Sequence, residues 1–295
     1  MSGELTRGQD SRSRKYPEQT GALALASTTI VSGPHLLPEI FDHIVDLLHD
    51  NRHTLEQCCL ISKSWVPRTR RHLFAHVELR LEDQVELWKE MFPDPKKSPA
   101  YYTRSLKIIG RTLRNTGESG WITGFCRVEQ LDFELIGRSD VDIPFATFSG
   151  TLSHSLRSLS IYGTIPHPHV FNFVHSSPLL KSLTLVGLET PVDRENQEGL
   201  PTAVSRSKSP SLTGTLKFGI FRGTVETSRL LLGLPGGLHF QKLDLICSGT
   251  QHFASVIELV AACSHTLEHL NLRCKVAGTL YSASSPVKML TSSCR

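Results

Sequence analysis

The chain lacks most of the features that mark enzymes, membrane proteins and secreted domains. No run approaches the ~20 apolar residues that a membrane span needs, so no membrane partner is expected. No Gly-x-Ser-x-Gly, His-Glu-x-x-His or paired-carboxylate motif occurs, which leaves a hydrolase or transferase without a signature. No catalytic residue and no cofactor is expected, and an enzyme ranks a distant third among the functional readings. The 7 cysteines (Cys58, Cys59, Cys126, Cys247, Cys263, Cys274, Cys294) are odd in number, widely spread and free of any Cys-x-x-Cys. That spacing excludes a disulfide framework and a zinc site, and it reads as buried reduced thiols of an intracellular protein. His167-Pro168-His169 has neither Cys nor carboxylate nearby, so no metal site is expected and turn composition explains the tract. Gly233-Leu-Pro-Gly-Gly237 lacks the Lys-Ser/Thr ending of a phosphate loop and reads as a turn.

Charge of one sign is also lacking. A net charge of +4 over 295 residues is mild, with basic residues scattered rather than striped, which argues against nucleic acid as the ligand. Arg68, Arg70 and Arg71 form a small cluster best read as a solvated helix face. The apolar run between Gly21 and Gly33 faintly resembles a signal peptide, but it is short, broken by Ser27, Thr28 and Thr29, and preceded by acids; a disordered leader fits it better.

What is present suggests two units, since 295 residues exceed the usual single-domain size. Residues 1–33, rich in Ser, Arg, Gln and Gly, read as a mobile tail. From Pro38 to Asp50, Ile40, Phe41, Ile44, Val45, Leu47 and Leu48 recur at spacings of three and four, predicting an amphipathic helix with Pro38 in its first turn. A second helix is expected from Thr54, as cap, to about Ser64, and after Pro67 a third from Arg68 to Phe74. Val77, Leu79 and Leu81 then alternate. Three short helices are too little chain to bury a good core alone, so partner binding is physically expected of them.

Beyond a connector at 81–103, with Phe92-Pro93-Asp94-Pro95 and Ser98-Pro99, a unit of the form apolar-x-x-Leu-x-apolar recurs seven times. Its central leucines are Leu106, Leu131, Leu159, Leu183, Leu216, Leu243 and Leu270, spaced 25, 28, 24, 33, 27 and 27 residues apart. Each Leu-x-apolar step predicts a short strand whose alternate side chains enter a shared core while the residue between faces out. One unit cannot bury its own apolar face, so neighbours must stack. The outward mid-strand positions, Lys107, Asp132, Ser160, Thr184, Lys217, Asp244 and Asn271, form the candidate track for contacting a target protein. Helix-like spacing recurs in His169–His175, Glu226–Leu232 and Gln251–Ser264, and residues 189–210 read as a disordered loop. Ser282 to Arg295 carries no capping repeat, so exposed core is expected at that end, covered by a partner or by further chain.

The segment Leu36 to Val77 resembles the F-box, in the form common among proteins of mushroom-forming fungi. Leu36, Glu39, Ile40, Ile44 and Leu48 carry the likeness in the first helix, Leu55 to Trp65 in the second, and Arg70, Leu73, Phe74 and Val77 after it. Cys-x-Leu-Ile-Ser-Lys-x-Trp, ending at Trp65, is its most specific part. Leu-Pro-x-Glu is the usual start, whereas this chain reads Leu36-Leu37-Pro38-Glu39, with the proline one place later. The resemblance implies an F-box at 34–80 that binds Skp1, and through it a cullin-RING ubiquitin ligase. Its Skp1-binding residues would be Leu36, Leu37, Pro38, Glu39, Ile40, Ile44, Leu48, Leu60, Ile61, Ser62 and Trp65. The strand units of 104–295 resemble irregular leucine-rich repeats. The expectation is therefore an α/β chain, a small three-helix F-box followed by an irregular leucine-rich-repeat solenoid. It would act as the substrate-recognition adaptor of a ubiquitin ligase in the cytoplasm, the nucleus or both. The alternative is a protein-binding repeat scaffold without ligase function.

Overall fold

Pro38, with φ preset and no N–H to satisfy, opens helix α1 (Pro38–Leu47) in the computed structural model of the chain. The structure describes residues 37–80, 83–110, 119–135, 145–163, 167–187, 212–220, 225–234, 236–248, 252–276 and 279–286. The tail at 1–33, the loop at 189–210 and Leu36 thus lie outside the described residues. Helix α2 (Arg52–Ile61) starts before the expected cap, because the Asn51 side chain accepts a hydrogen bond from the Thr54 backbone N–H at 3.0 Å. Pro67 does not interrupt the chain but sits in the first turn of α3 (Val66–Leu73), where its missing donor costs nothing.

The rest of the chain builds one sheet. Strand β1 (His76–Arg80) leads into α4 (Gln84–Met91) and two 3₁₀ turns, Pro95–Lys97 and Pro99–Tyr102. Then come β2 (Ser105–Gly110), a 3₁₀ turn at Ser119–Gly124, β3 (Gln130–Leu135), α5 (Phe145–Leu152), β4 (Ser158–Tyr162), α6 (His167–His175) and β5 (Ser182–Val186). The last stretch holds β6 (Leu212–Ile220), α7 (Val225–Leu232), β7 (Leu238–Ser248), α8 (Phe253–Ala262), β8 (His269–Val276) and β9 (Thr279–Pro286). Strand order follows sequence order across all nine strands. β1 to β8 pair parallel and β9 returns antiparallel on β8.

The register explains why this sequence makes this sheet. Leu106, Leu131, Leu159, Leu183, Leu216, Leu243 and Leu270 lie side by side, and so do the apolar residues two places on. Both rows point to one face, where they are buried from β2 to β7 and partly buried on β8. The start of each strand is pinned by a repeated contact. The carbonyls of Ala75, Arg104, Glu129 and Arg157 each accept from two successive N–H groups of the next unit, at 2.7–3.0 Å. Gly214 (φ +89°) sits where that contact meets β6, and a Cβ there would lie 2.1 Å from the Lys181 carbonyl oxygen.

This architecture corrects the expected one. A small three-helix F-box joined to a separate leucine-rich-repeat solenoid is not what the structure shows; it shows one α/β arrangement on a continuous sheet. That sheet begins at His76, inside the range expected to be the helical unit. The expected connector folds as α4 and two 3₁₀ turns and belongs to the sheet's packing: Trp88 stacks on Phe92 (4.9 Å between ring centroids) and on Phe125 (5.3 Å). Pro-rich composition signalled a boundary, but aromatic packing overrides it. At the far end β9 pairs antiparallel along β8 from His269 to Val276 and so covers the edge of β8, while Leu270 and Leu272 stay only partly buried there. Sequence reading also missed α4 and α5, both short helices with weak periodicity.

Candidate functional site

Two surfaces stand out, one on the N-terminal helices and one on the sheet. On α1 the apolar residues divide between two sides. Val45 is sealed while Phe41 and Leu48 are half-buried, and together they form the inward side. Leu37, Ile40, Ile44 and Leu47, spaced three, four and three apart, share the other side and are 36–69% exposed. Leu60 and Ile61, at the end of α2, are 79% and 66% exposed. Pro38 and Glu39 are exposed beside them. Of the residues expected to bind Skp1, Leu37, Pro38, Glu39, Ile40, Ile44, Leu60 and Ile61 thus face solvent. Leu48, Ser62 and Trp65 are half-buried; Ser62 Oγ hydrogen-bonds Ser64 Oγ at 2.9 Å, and the Trp65 ring stacks on Phe41 at 5.0 Å. Leu47, on the same exposed side, was not among the expected residues, although its spacing from Ile40 and Ile44 would have found it.

An ion cluster joins the inward side of α1 to α3. Arg68 on α3 grips Asp46 on α1 with Nε at 2.7 Å from Oδ1 and Nη2 on Oδ2, while His72 Nε2 lies 2.7 Å from Oδ1. The Arg68 guanidinium, with help from His72 and against the cost of partial burial, holds the Asp46 carboxyl far below the usual carboxylate range. Arg68 is thus no solvated residue as expected, whereas Arg70 and Arg71 are exposed. The inward residues Val45, Leu55 and Cys58 are buried apart from the core that runs from Val77 to Leu267 beneath the sheet.

On the sheet's open face, Lys107, Asp132, Ser160, Thr184, Lys217, Asp244 and Asn271 occupy one register row, in that order, with Glu78 ahead of them. Charged residues flank the hydroxyls of Ser160 and Thr184 on both sides, and the row ends on the amide of Asn271. Several are already engaged. Lys107 Nζ pairs with Glu134 at 2.8 Å, which raises its ammonium above the usual lysine range, and Asp132 accepts from Gln130 Nε2 at 2.9 Å. Asp244 accepts twice from Arg273 Nη2, at 2.9 and 2.7 Å, and from Asn271 Nδ2 at 3.2 Å. Thr184 is only 8% exposed, too enclosed by its neighbours to lead a contact. The adjacent row adds Glu134, Tyr162 and Arg273, which sequence reading passed over although each lies two places beyond a predicted outward residue. Tyr162, at 38% exposed, puts a large aromatic on this face.

Among the described residues, no group of three or more His, Cys, Asp or Glu is placed to hold a metal ion. Among them also, no helix is long and apolar enough to cross a membrane. Comparison with known proteins leaves both surfaces to be read from their chemistry alone, since no family model, curated protein or solved structure matches the chain.

Proposed function

We propose that the chain is a non-catalytic substrate-recruiting adaptor of a Skp1–cullin–F-box ubiquitin ligase, working inside the cell in cytoplasm, nucleus or both. The exposed apolar side of α1, with Leu60 and Ile61 of α2, docks on Skp1, and the open sheet face holds a target protein. The observation that carries this reading is the stripe Leu37, Ile40, Ile44 and Leu47: a helix with a sealed inner side that still shows a second apolar side to water. Exposed apolar area of that extent, in a motif resembling an F-box, fits a partner-binding surface. Such an adaptor adds binding energy and no chemistry of its own. Tethering raises the effective concentration of target lysines near the charged conjugating enzyme.

The test is binding of the purified full chain to purified Skp1, for the wild type and for Leu37→Ser/Leu47→Ser. Fully burying a leucine is worth about 1.5–3 kcal/mol, so covering the exposed parts of these two contributes about 2–4 kcal/mol, a roughly 30- to 1000-fold loss of affinity in the variant. Its melting temperature should stay unchanged, because neither side chain is packed in the core. A wild-type chain that ignores Skp1, or a variant that binds as well, defeats the reading. Charge reversal of Asp132 and Lys217 together should leave the Skp1 complex intact and impair target capture.

A further inference from the structure

Cysteine reappears on the core side of the sheet in an unexpected arrangement. Cys247 on β7 and Cys274 on β8 are register partners on adjacent parallel strands, 27 residues apart in sequence, and their sulfurs lie 2.9 Å apart. That is closer than the ordinary approach of two unbonded sulfur atoms. Neighbouring strands run about 4.7–4.9 Å apart, inside the 4.4–6.8 Å Cα separation that a disulfide spans. The two sulfurs differ in access. Cys247 is fully sealed, and burial, with Cys274 alongside, pushes its thiol up to about 12. Cys274 is half-buried at the thinner end of the core, beside the partly buried Leu270 and Leu272. Cys58 and Cys263 are buried elsewhere, and Cys126 is exposed.

We propose that Cys247 and Cys274 form a reversible oxidation site, closed to a β7–β8 disulfide by a hydroperoxide and reopened by a dithiol. Cys274 is where the oxidant enters. Its sulfur attacks the hydroperoxide, an S–O bond forms as the O–O bond breaks, and an alcohol or water leaves with the thiol proton. The Cys247 sulfur then attacks the sulfenic sulfur of Cys274. An S–S bond forms, the S–O bond breaks, and the hydroxyl departs as water with the Cys247 proton. Two thiols and one hydroperoxide give one disulfide, one alcohol and one water, the peroxide taking the two electrons. The staple lies on the opposite face from the Asp244–Arg273 pair, one residue beyond Arg273 on β8 and three beyond Asp244 on β7. Oxidation therefore fixes the last parallel strand pair beneath that charge cluster.

The experiment treats the full chain with hydrogen peroxide, alkylates the remaining thiols, digests it and reads the peptides by mass spectrometry. A linked Cys247–Cys274 peptide, two hydrogens lighter than its parts and abolished by dithiothreitol, is the expected result, with a higher melting temperature for the oxidised chain. Peroxide that modifies the exposed Cys126 while both Cys247 and Cys274 remain alkylatable overturns the proposal. In Cys247→Ala, dimedone should label Cys274 as the sulfenic acid, and a labelled Cys126 beside an unlabelled Cys274 refutes the assigned point of attack. The linked-peptide readout needs no variant and stands independently of how Cys247→Ala folds.

Discussion

Replacing Gly214 by alanine probes the contact that keeps the sheet in register. Its φ of +89° is a conformation that L residues rarely adopt, and strain of that kind costs about 1–3 kcal/mol. The added Cβ would also lie 2.1 Å from the Lys181 carbonyl oxygen and 3.0 Å from its carbon, against a comfortable carbon–oxygen approach of about 3.3–3.6 Å. Both atoms belong to backbone, so relief needs β6 to move off the β5 start by about 1 Å. That movement opens the 2.8 Å bond from Thr215 N–H to the same oxygen, a further loss of about 1–2 kcal/mol. Together these give a destabilisation of about 2–5 kcal/mol, a large share of a typical domain's stability. Gly150 is the internal control. It lies within α5 with open space where a Cβ would stand, so Gly150→Ala should gain about 0.5–1 kcal/mol from helix propensity alone. Equilibrium urea unfolding followed by far-ultraviolet circular dichroism separates the two, provided the m-values agree. A Gly214→Ala chain within about 1 kcal/mol of the wild type would show that the β5–β6 contact does not hold the register.

Two further substitutions test the helical surface. The Asp46 carboxylate has a depressed folded-state pKa, so its stabilisation is fully present above the unfolded carboxylate value of about 3.9 and is lost as pH falls below it toward the folded value. Asp46→Asn should therefore cost about 1–2 kcal/mol at pH 6, a figure reduced for the partial exposure of the pair, and the gap to the wild type should close in thermal melts below about pH 4. Trp65→Ala should cost about 2–3 kcal/mol, less than full burial implies because the ring is half-buried against Phe41, and Skp1 binding should fall only together with stability. A Trp65→Ala chain that melts like the wild type but loses Skp1 would place the ring in the interface instead.

How much of this was legible depends on which force decided each feature. The seven strand cores were readable because two independent regularities coincide in them: alternation along each strand and a near-constant spacing between central leucines. Their register partners then follow, including the row from Lys107 to Asn271. Cys247 and Cys274 share the same 27-residue offset as Leu243 and Leu270, so their meeting was available from the repeat, had the cysteines been counted within it rather than across the chain. The orientation of α1 was not readable. Apolar residues occupy most of its circumference, and periodicity alone cannot say whether Ile44 or Val45 turns inward. On the side that turns inward, the Asp46 carboxylate meets Arg68 and His72 on α3. Once Asp46 is turned toward α3, Val45 is carried under it and Leu37, Ile40, Ile44 and Leu47 are left facing water. That contact joins residues 22 to 26 places apart, so the periodicity of α1 by itself does not show it. The misplaced boundary has a similar origin: Pro93, Pro95 and Pro99 forbid a long helix locally, yet Trp88, just ahead of that constraint and packed on Phe92, meets Phe125 beyond it and joins the sheet's core.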